Sequence, residues 1–193
     1  LIIILTLSFQ SWTKAEIAGE FEIQGLTLGD SLLKMYTEKE IKEYLSSNNS
    51  VNFYPSSKKY FTLTTFGKDK EFDQLNIDLK YNDTNYIIYG LSQYKRIKYK
   101  DCLNEQQTIS ENFENLFEKN TYQLDEYSNA HQGDPSGNSK YKSIDFFFDD
   151  GSIIRIICTD WGKEFEADNY SDNIDVGLSS KVFFDFLVNE AFK

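Results

Sequence analysis

Ser31 sits in the stretch "LTLGDSLLKMY" (26–36), where a serine hydroxyl could act as a nucleophile. A serine does that work only when a base removes its proton, and histidine is the usual base. The chain has one histidine, His131, in "HQGDPSGNSK" (131–140), a run made almost wholly of turn-forming residues. Two cysteines, Cys102 and Cys158, could join as a disulfide or stay as separate buried thiols. Tyr94, Lys95, Arg96, Lys98 and Tyr99 belong to the one basic run, "YKRIKYK" (94–100), able to grip an anion, a lipid head group or an acidic segment. Asp168, Asp172 and Asp175, with Glu164 and Glu166 nearby, could gather oxygen ligands around calcium. Their spacing is not that of an EF-hand loop, and the glycine which that loop needs is missing. A solvated acidic loop is the simpler reading, so no metal or cofactor is assigned.

The letters Gly29-Asp30-Ser31-Leu32 resemble the signature of the GDSL serine esterases. That family also carries a glycine and an asparagine in later blocks, and an Asp-x-x-His near its C-terminus that supplies the base. Here Ser128 stands three residues before His131, and Lys80 stands where the glycine of "KYND" (80–83) should be. The resemblance covers four residues. The simpler expectation is a helix start, with Asp30 or Ser31 satisfying free backbone N–H groups. A serine esterase using Ser31 is the least favoured reading.

The elements that must position these residues come from length, charge and pattern. A chain of 193 residues suits one domain. A net charge of −11 repels phosphate backbones, so nucleic acid is excluded as the expected partner. The opening run "LIIILTLSF" is apolar but too short to span a bilayer. Thr13-Lys14-Ala15 before Glu16 fits a signal-peptidase site, so residues 1–15 read as a front-truncated signal peptide and 16–193 as a single α+β domain. No other long apolar run follows, so no transmembrane segment is expected in the mature chain. A periplasmic or secreted location makes the pair Cys102–Cys158 a disulfide, closing a loop worth about 4 kcal/mol in the chain-entropy model.

Thr37 and Glu40 form a capping box for a helix over about 38–45, with Tyr36 and Ile41 as its hydrophobic staple. Residues 58–66, 72–81 and 86–97 alternate as strands of an antiparallel meander. Asp101 is expected to cap a second helix whose apolar face holds Cys102, Ile109, Phe113, Leu116 and Phe117. Residues 121–140 read as polar loop. Asp149-Asp150-Gly151 marks a hairpin between "YKSIDFFF" and "SIIRIICTDW". A last helix groups Phe183, Phe184, Leu187 and Val188, capped by Ser179 or Ser180. No internal repeat is evident. The expected fold is α+β: an antiparallel meander sheet with about three helices packed on one face and a single disulfide.

The order of leader, "FEIQGLTLGDSLL", helix, strands, Cys-started helix and Cys-bearing strand is similar to that of uncharacterised small exported proteins of AT-rich marine alphaproteobacteria. That resemblance covers most of the chain and implies export but no activity. "GLTLG" (25–29) also resembles the helix entry of small periplasmic α+β modules of the outer-membrane assembly lipoprotein and β-lactamase-inhibitor type, over about a dozen residues and without their lipidated cysteine. The expected function is a non-enzymatic envelope binding or interaction module. The alternative is a small-molecule carrier with a pocket lined by some of the 16 Phe and 13 Tyr residues. N-terminal sequencing of the exported protein should begin at or near Glu16, whereas uncleaved chain recovered from the cytosol contradicts the leader.

Overall fold

A computed structural model describes residues 21–47, 50–66, 71–166 and 170–193. The expected leader, residues 1–15, lies outside the described residues. The described chain runs through one plan twice. The first pass is a 3-10 turn at Leu32–Lys34, helix α1 (Glu38–Ser46), then strands β1 (Val51–Tyr54), β2 (Ser57–Thr65), β3 (Gln74–Lys80) and β4 (Ile88–Arg96). The second is helix α2 (Tyr99–Leu116), then β5 (Tyr122–Ala130), β6 (Lys140–Phe148), β7 (Ile153–Asp160) and β8 (Asn173–Ser179), with a short helix α3 (Lys163–Glu166) between the last two. Helix α4 (Lys181–Asn189) follows.

Each pass makes a four-stranded antiparallel meander. The two meet where β4 pairs with β8, giving one open eight-stranded sheet in the order β1-β2-β3-β4-β8-β7-β6-β5. The doubling is one of topology, not of sequence. Repetition of topology needs only the same order of periodicities, and the two halves share no obvious residue pattern.

Local chemistry accounts for the element ends. Thr37 Oγ1 accepts the N–H of Glu40, and the Glu40 carboxylate accepts the N–H of Thr37, closing the expected capping box. Helix α2 begins earlier than expected. Lys98 is its N-cap and Asp101 lies inside the first turn, where a negative charge suits the helix dipole. The hairpin at Asp149–Ser152 is as expected, with Gly151 at φ 80° and the N–H of Gly151 bonded to Phe148.

Side chains on the two faces of the sheet differ. On one face Leu63, Ile77, Leu91, Ile154, Ile156, Ile174 and Leu178 build the main core with α1 (Ile41) and α2 (Ile109, Phe113). Gln106 of α2 is fully buried there, and its Nε2 donates to the carbonyls of Lys142 (3.0 Å) and Ile156 (2.7 Å). Helix α4 lies on the opposite face, where Phe183 and Phe186 pack with Tyr60 and Ala191. Helices on one face only is therefore corrected for α4. Its buried side chains are Phe183 and Phe186, spaced i, i+3, while Val188 is 57 % exposed.

Cys102 and Cys158 form the expected disulfide, with a Cα separation of 5.8 Å and both residues fully buried. Cys158 shares the core face with Ile154 and Ile156, the face that α2 covers. The bridge ties the first turn of α2 to an interior strand. Mass spectrometry should give a two-hydrogen deficit and no alkylatable thiol. Reduction should lower stability in urea unfolding by about 2–4 kcal/mol. Unchanged stability after reduction contradicts the bridge as a support of the fold.

Candidate functional site

Register fixes what the second face presents. Alternation puts Thr62, Asp78 and Asn76, then Gly90, Ser92 and Tyr94, then Asp175 and Gly177, then Arg155 and Thr159, then Asp145 and Tyr141 on the side away from the main core. Helix α4 covers one end of this face, where the N–H of Ser180 bonds the carbonyl of Tyr89. The opposite end carries Arg96, Tyr141, His131 and Trp161. Between the two ends runs a band of hydrogen-bonding groups that crosses every strand from β2 to β6.

The band is charged at two places. Asp145, with no exposed side-chain surface, is gripped by Arg155 through Nε (3.1 and 3.0 Å) and Nη2 (2.7 Å). Tyr127 Oη and Ser143 Oγ donate to the same carboxylate. The Arg155 guanidinium also lies 5.6 Å from the centre of the Phe184 ring of α4. Removing one partner of such a pair leaves the other charge uncompensated.

Among the described residues, Asp78 and Asp175 have no such cation. Thr62 Oγ1 (2.6 Å) and Tyr54 Oη (3.1 Å) donate to Asp78, and Ser92 Oγ (3.0 Å) donates to Asp175. Burial pushes the Asp78 carboxyl up to about 6. Burial, with the charge of Asp78 added, pushes Asp175 up to about 7, against the pull of Ser92 and Arg155. The face therefore changes charge near neutrality.

At the far end, aromatic rings cluster. The His131 and Trp161 rings stand 4.3 Å apart, Trp161 and Tyr170 4.8 Å, and Trp161 and Phe165 5.4 Å. Burial, against the charge of Asp134, lowers the pKa of His131, and that lowering favours the neutral ring. Tyr170 is 49 % exposed.

The residues singled out in the sequence are dispersed. Ser31 caps the 3-10 turn: its hydroxyl accepts the N–H of Leu33 (3.3 Å) and donates to the carbonyl of Asn85 (2.6 Å). It bridges to Ile87, just before β4, while His131 follows β5 across the sheet. The basic run is also split, which corrects its reading as one patch. Lys95 turns to Glu105 of α2 at 2.9 Å. Tyr99 packs on the main core with Lys140 over its ring. Tyr94 lies on the band, and Arg96 and Lys98 line an open cleft with Tyr170 and Asp172. Period-two alternation forces the split, because neighbours in a strand face opposite ways.

The weak calcium candidates can be placed in part. Asp168 lies outside the described residues. Both Asp172 oxygens accept backbone N–H groups, from Tyr99 and Trp161 at 3.0 Å. Asp175 faces Ser92. Among the described residues no three His, Cys, Asp or Glu side chains come together in a metal-sized group.

A second concavity lies on the core face, at the outer side of the first meander. A groove of about 400 Å³ runs there, lined by Leu45 of α1 with Phe53, Phe61, Leu79, Tyr81 and Tyr86. Phe53 is 41 % and Tyr81 49 % exposed, so large apolar rings face the opening.

No family model matches the chain, and no curated protein or solved structure matches it either. No helix among the described residues is long and apolar enough to cross a membrane.

The band carries a pH prediction. A carboxyl whose folded pKa exceeds its unfolded value binds more protons when folded, so its contribution to stability falls as pH rises from about 4 to about 7. Asp175→Asn removes that titration and keeps a partner for Ser92. The variant should exceed the wild type by on the order of 1–2 kcal/mol in urea unfolding at pH 8, and match it at pH 4. A gap independent of pH contradicts the raised Asp175.

Proposed function

We propose that this chain is a non-enzymatic binding module of the cell envelope, periplasmic or secreted, and that the face bearing Asp78, Asp175 and Trp161 is its binding surface. One observation carries the reading: on the sheet face that α4 covers at one end, the described residues join a hydrogen-bonding band to an aromatic cluster. Aromatic rings with polar groups around them are the composition of recognition surfaces. The buried disulfide supports export, because such bonds persist in oxidising compartments. The use of Ser31 as a helix cap, away from His131, counts against a serine esterase.

The groove beside Phe53 and Tyr81 favours a second reading, a small-molecule carrier. Its volume falls in the range of about 300–1,000 Å³ usual for ligand sites, and its lining is mainly apolar.

The test is capture from an envelope extract of the source cells with three immobilised proteins: wild type, Tyr170→Ala with Tyr141→Ala, and Phe53→Asp. The open-face reading expects a partner held by wild type and Phe53→Asp and lost from the double variant. A partner held equally by the open-face double variant contradicts it.

A further inference from the structure

The sheet ends in two edges of different kinds. β1 is four residues long, its register shifts at Phe53–Tyr54, and the turn after it is tied down where the N–H of Ser56 bonds the carbonyl of Ala191. β5 is nine residues long, pairs with β6 without a register shift, and holds no proline and no lysine. Edges are commonly blunted by shortness, bulges, proline or charge. β5 uses charge alone, through Asp125 and Glu126.

Hydrogen bonding shows which of its groups are free. The N–H of His131 bonds the carbonyl of Ser139 at 2.9 Å, one step beyond the pair Ala130–Lys140. Bonded and non-bonded pairs alternate along an antiparallel ladder. In this register Asn129, Tyr127 and Asp125 turn their N–H and C=O toward β6, and Ser128, Glu126 and Leu124 turn theirs outward. Among the described residues nothing pairs with that outer side.

The side chains along the rim give the chemistry of an occupant. Leu124 stands opposite Phe146 on the core face, yet it is 46 % exposed. Glu126 is held by Lys142 at 2.7 Å. Asp125 stands opposite Asp145, whose own partner is Arg155, and has no ion pair among the described residues. Glu114 of α2 is likewise unpaired. Burial and the charge of Glu114 hold the Tyr122 phenol above its usual range, which places that carboxylate beside β5 on the core side. From residue 111 to residue 130 the chain carries Glu111, Glu114, Glu118, Asp125 and Glu126 against one cation, Lys119. A second copy would bring the same carboxylates on a chain of net charge −11, whereas a basic strand would neutralise them.

We propose that β5 receives an extended basic segment of a partner protein as a further strand of the sheet, bonded to the outward backbone groups of Leu124, Glu126 and Ser128. An apolar side chain of the segment covers Leu124, and its lysine or arginine side chains lie beside Asp125 and Glu114. The site is the edge of the sheet and not the face proposed above, so each can fail without the other.

The experiment is fluorescence anisotropy with labelled peptides of about eight residues, the length of an ordinary strand. One alternates valine and lysine, one alternates valine and glutamate, and a third is the lysine peptide N-methylated at alternate residues along one edge. The lysine peptide should bind about tenfold or more tightly than the glutamate peptide at low salt, and N-methylation should abolish binding. Asp125→Asn with Glu126→Gln should weaken the lysine peptide about fivefold or more. Ser128→Pro removes an outward N–H and no β5–β6 bond, so it should abolish binding. Tyr170→Ala should change nothing. In the wild type, hydrogen exchange should show the amides of Leu124, Glu126 and Ser128 gaining protection when the lysine peptide binds, a readout that needs no variant to fold. Equal binding of the N-methylated peptide overturns the proposal, because charge alone then holds it. Equal binding of the glutamate peptide, or protection confined to other strands, also overturns it. So does a dimer whose β5 amides are protected without peptide, which makes a second copy the occupant.

Discussion

β4 and β8 pair antiparallel from Gly90–Ser179 to Arg96–Asn173, and every other large feature depends on that seam. The first meander ends in β4 and the second in β8, so their pairing turns two four-stranded units into one sheet. Glycine marks the seam for a steric reason. A Cβ on Gly177 would stand 2.7 Å from the Cβ of Ser92 and 2.8 Å from the carbonyl oxygen of Leu91. A Cβ on Gly90 would stand 2.5 Å from an Asp78 oxygen and 3.0 Å from the Phe183 ring. Glycine in a strand costs conformational entropy, and close approach is what offsets it here.

The seam also divides the chemistry of the two faces. On the core side it places Leu91 beside Leu178, under α1 and α2. On the other side it aligns Ser92, Asp175 and Tyr94 in the middle of a face that α4 covers only at one end. Charges there are half-buried or buried, and each has named hydrogen-bond partners. Burying the Asp145–Arg155 pair is a poor route to stability by itself, since desolvation offsets much of the attraction. Its geometry is better understood as holding a patterned surface rigid. The groove beside Phe53 belongs to the other side and depends on the seam only through the shared sheet.

Much of this was legible in the residues. The capping box at Thr37 and Glu40, the hairpin at Asp149–Ser152, the alternation of β2, β3 and β7 and the cysteine pairing all follow from local rules. Three strands were not. β5 is an edge strand with both faces mostly exposed, so Gln123, Asp125, Glu126 and Asn129 hid it as loop. β1 is only four residues long. β8 carries Ile174, Val176 and Leu178 in alternation, but Asp172, Asn173, Asp175 and Gly177 around them read as a polar stretch. Missing β8 meant missing the seam, and so the open face. The Asp145–Arg155 pair was recoverable: each interrupts the apolar run next to the turn, and counting outward from the Asp149–Ser152 turn makes them cross-strand partners. The groove was not, because it needs Leu45, Phe53, Tyr81 and Tyr86, which only the tertiary fold brings together.

Native-state hydrogen exchange at the seam tests the account most directly. If β4 and β8 join the two meanders into one cooperative sheet, the bonded amides of residues 90–96 and 173–179 should exchange only through global unfolding, with the same denaturant dependence as those of β3 and β7. Seam amides that exchange through a cheaper opening, while β2–β3 and β6–β7 remain protected, would mean that the halves separate. That result would contradict a single open face running across the sheet.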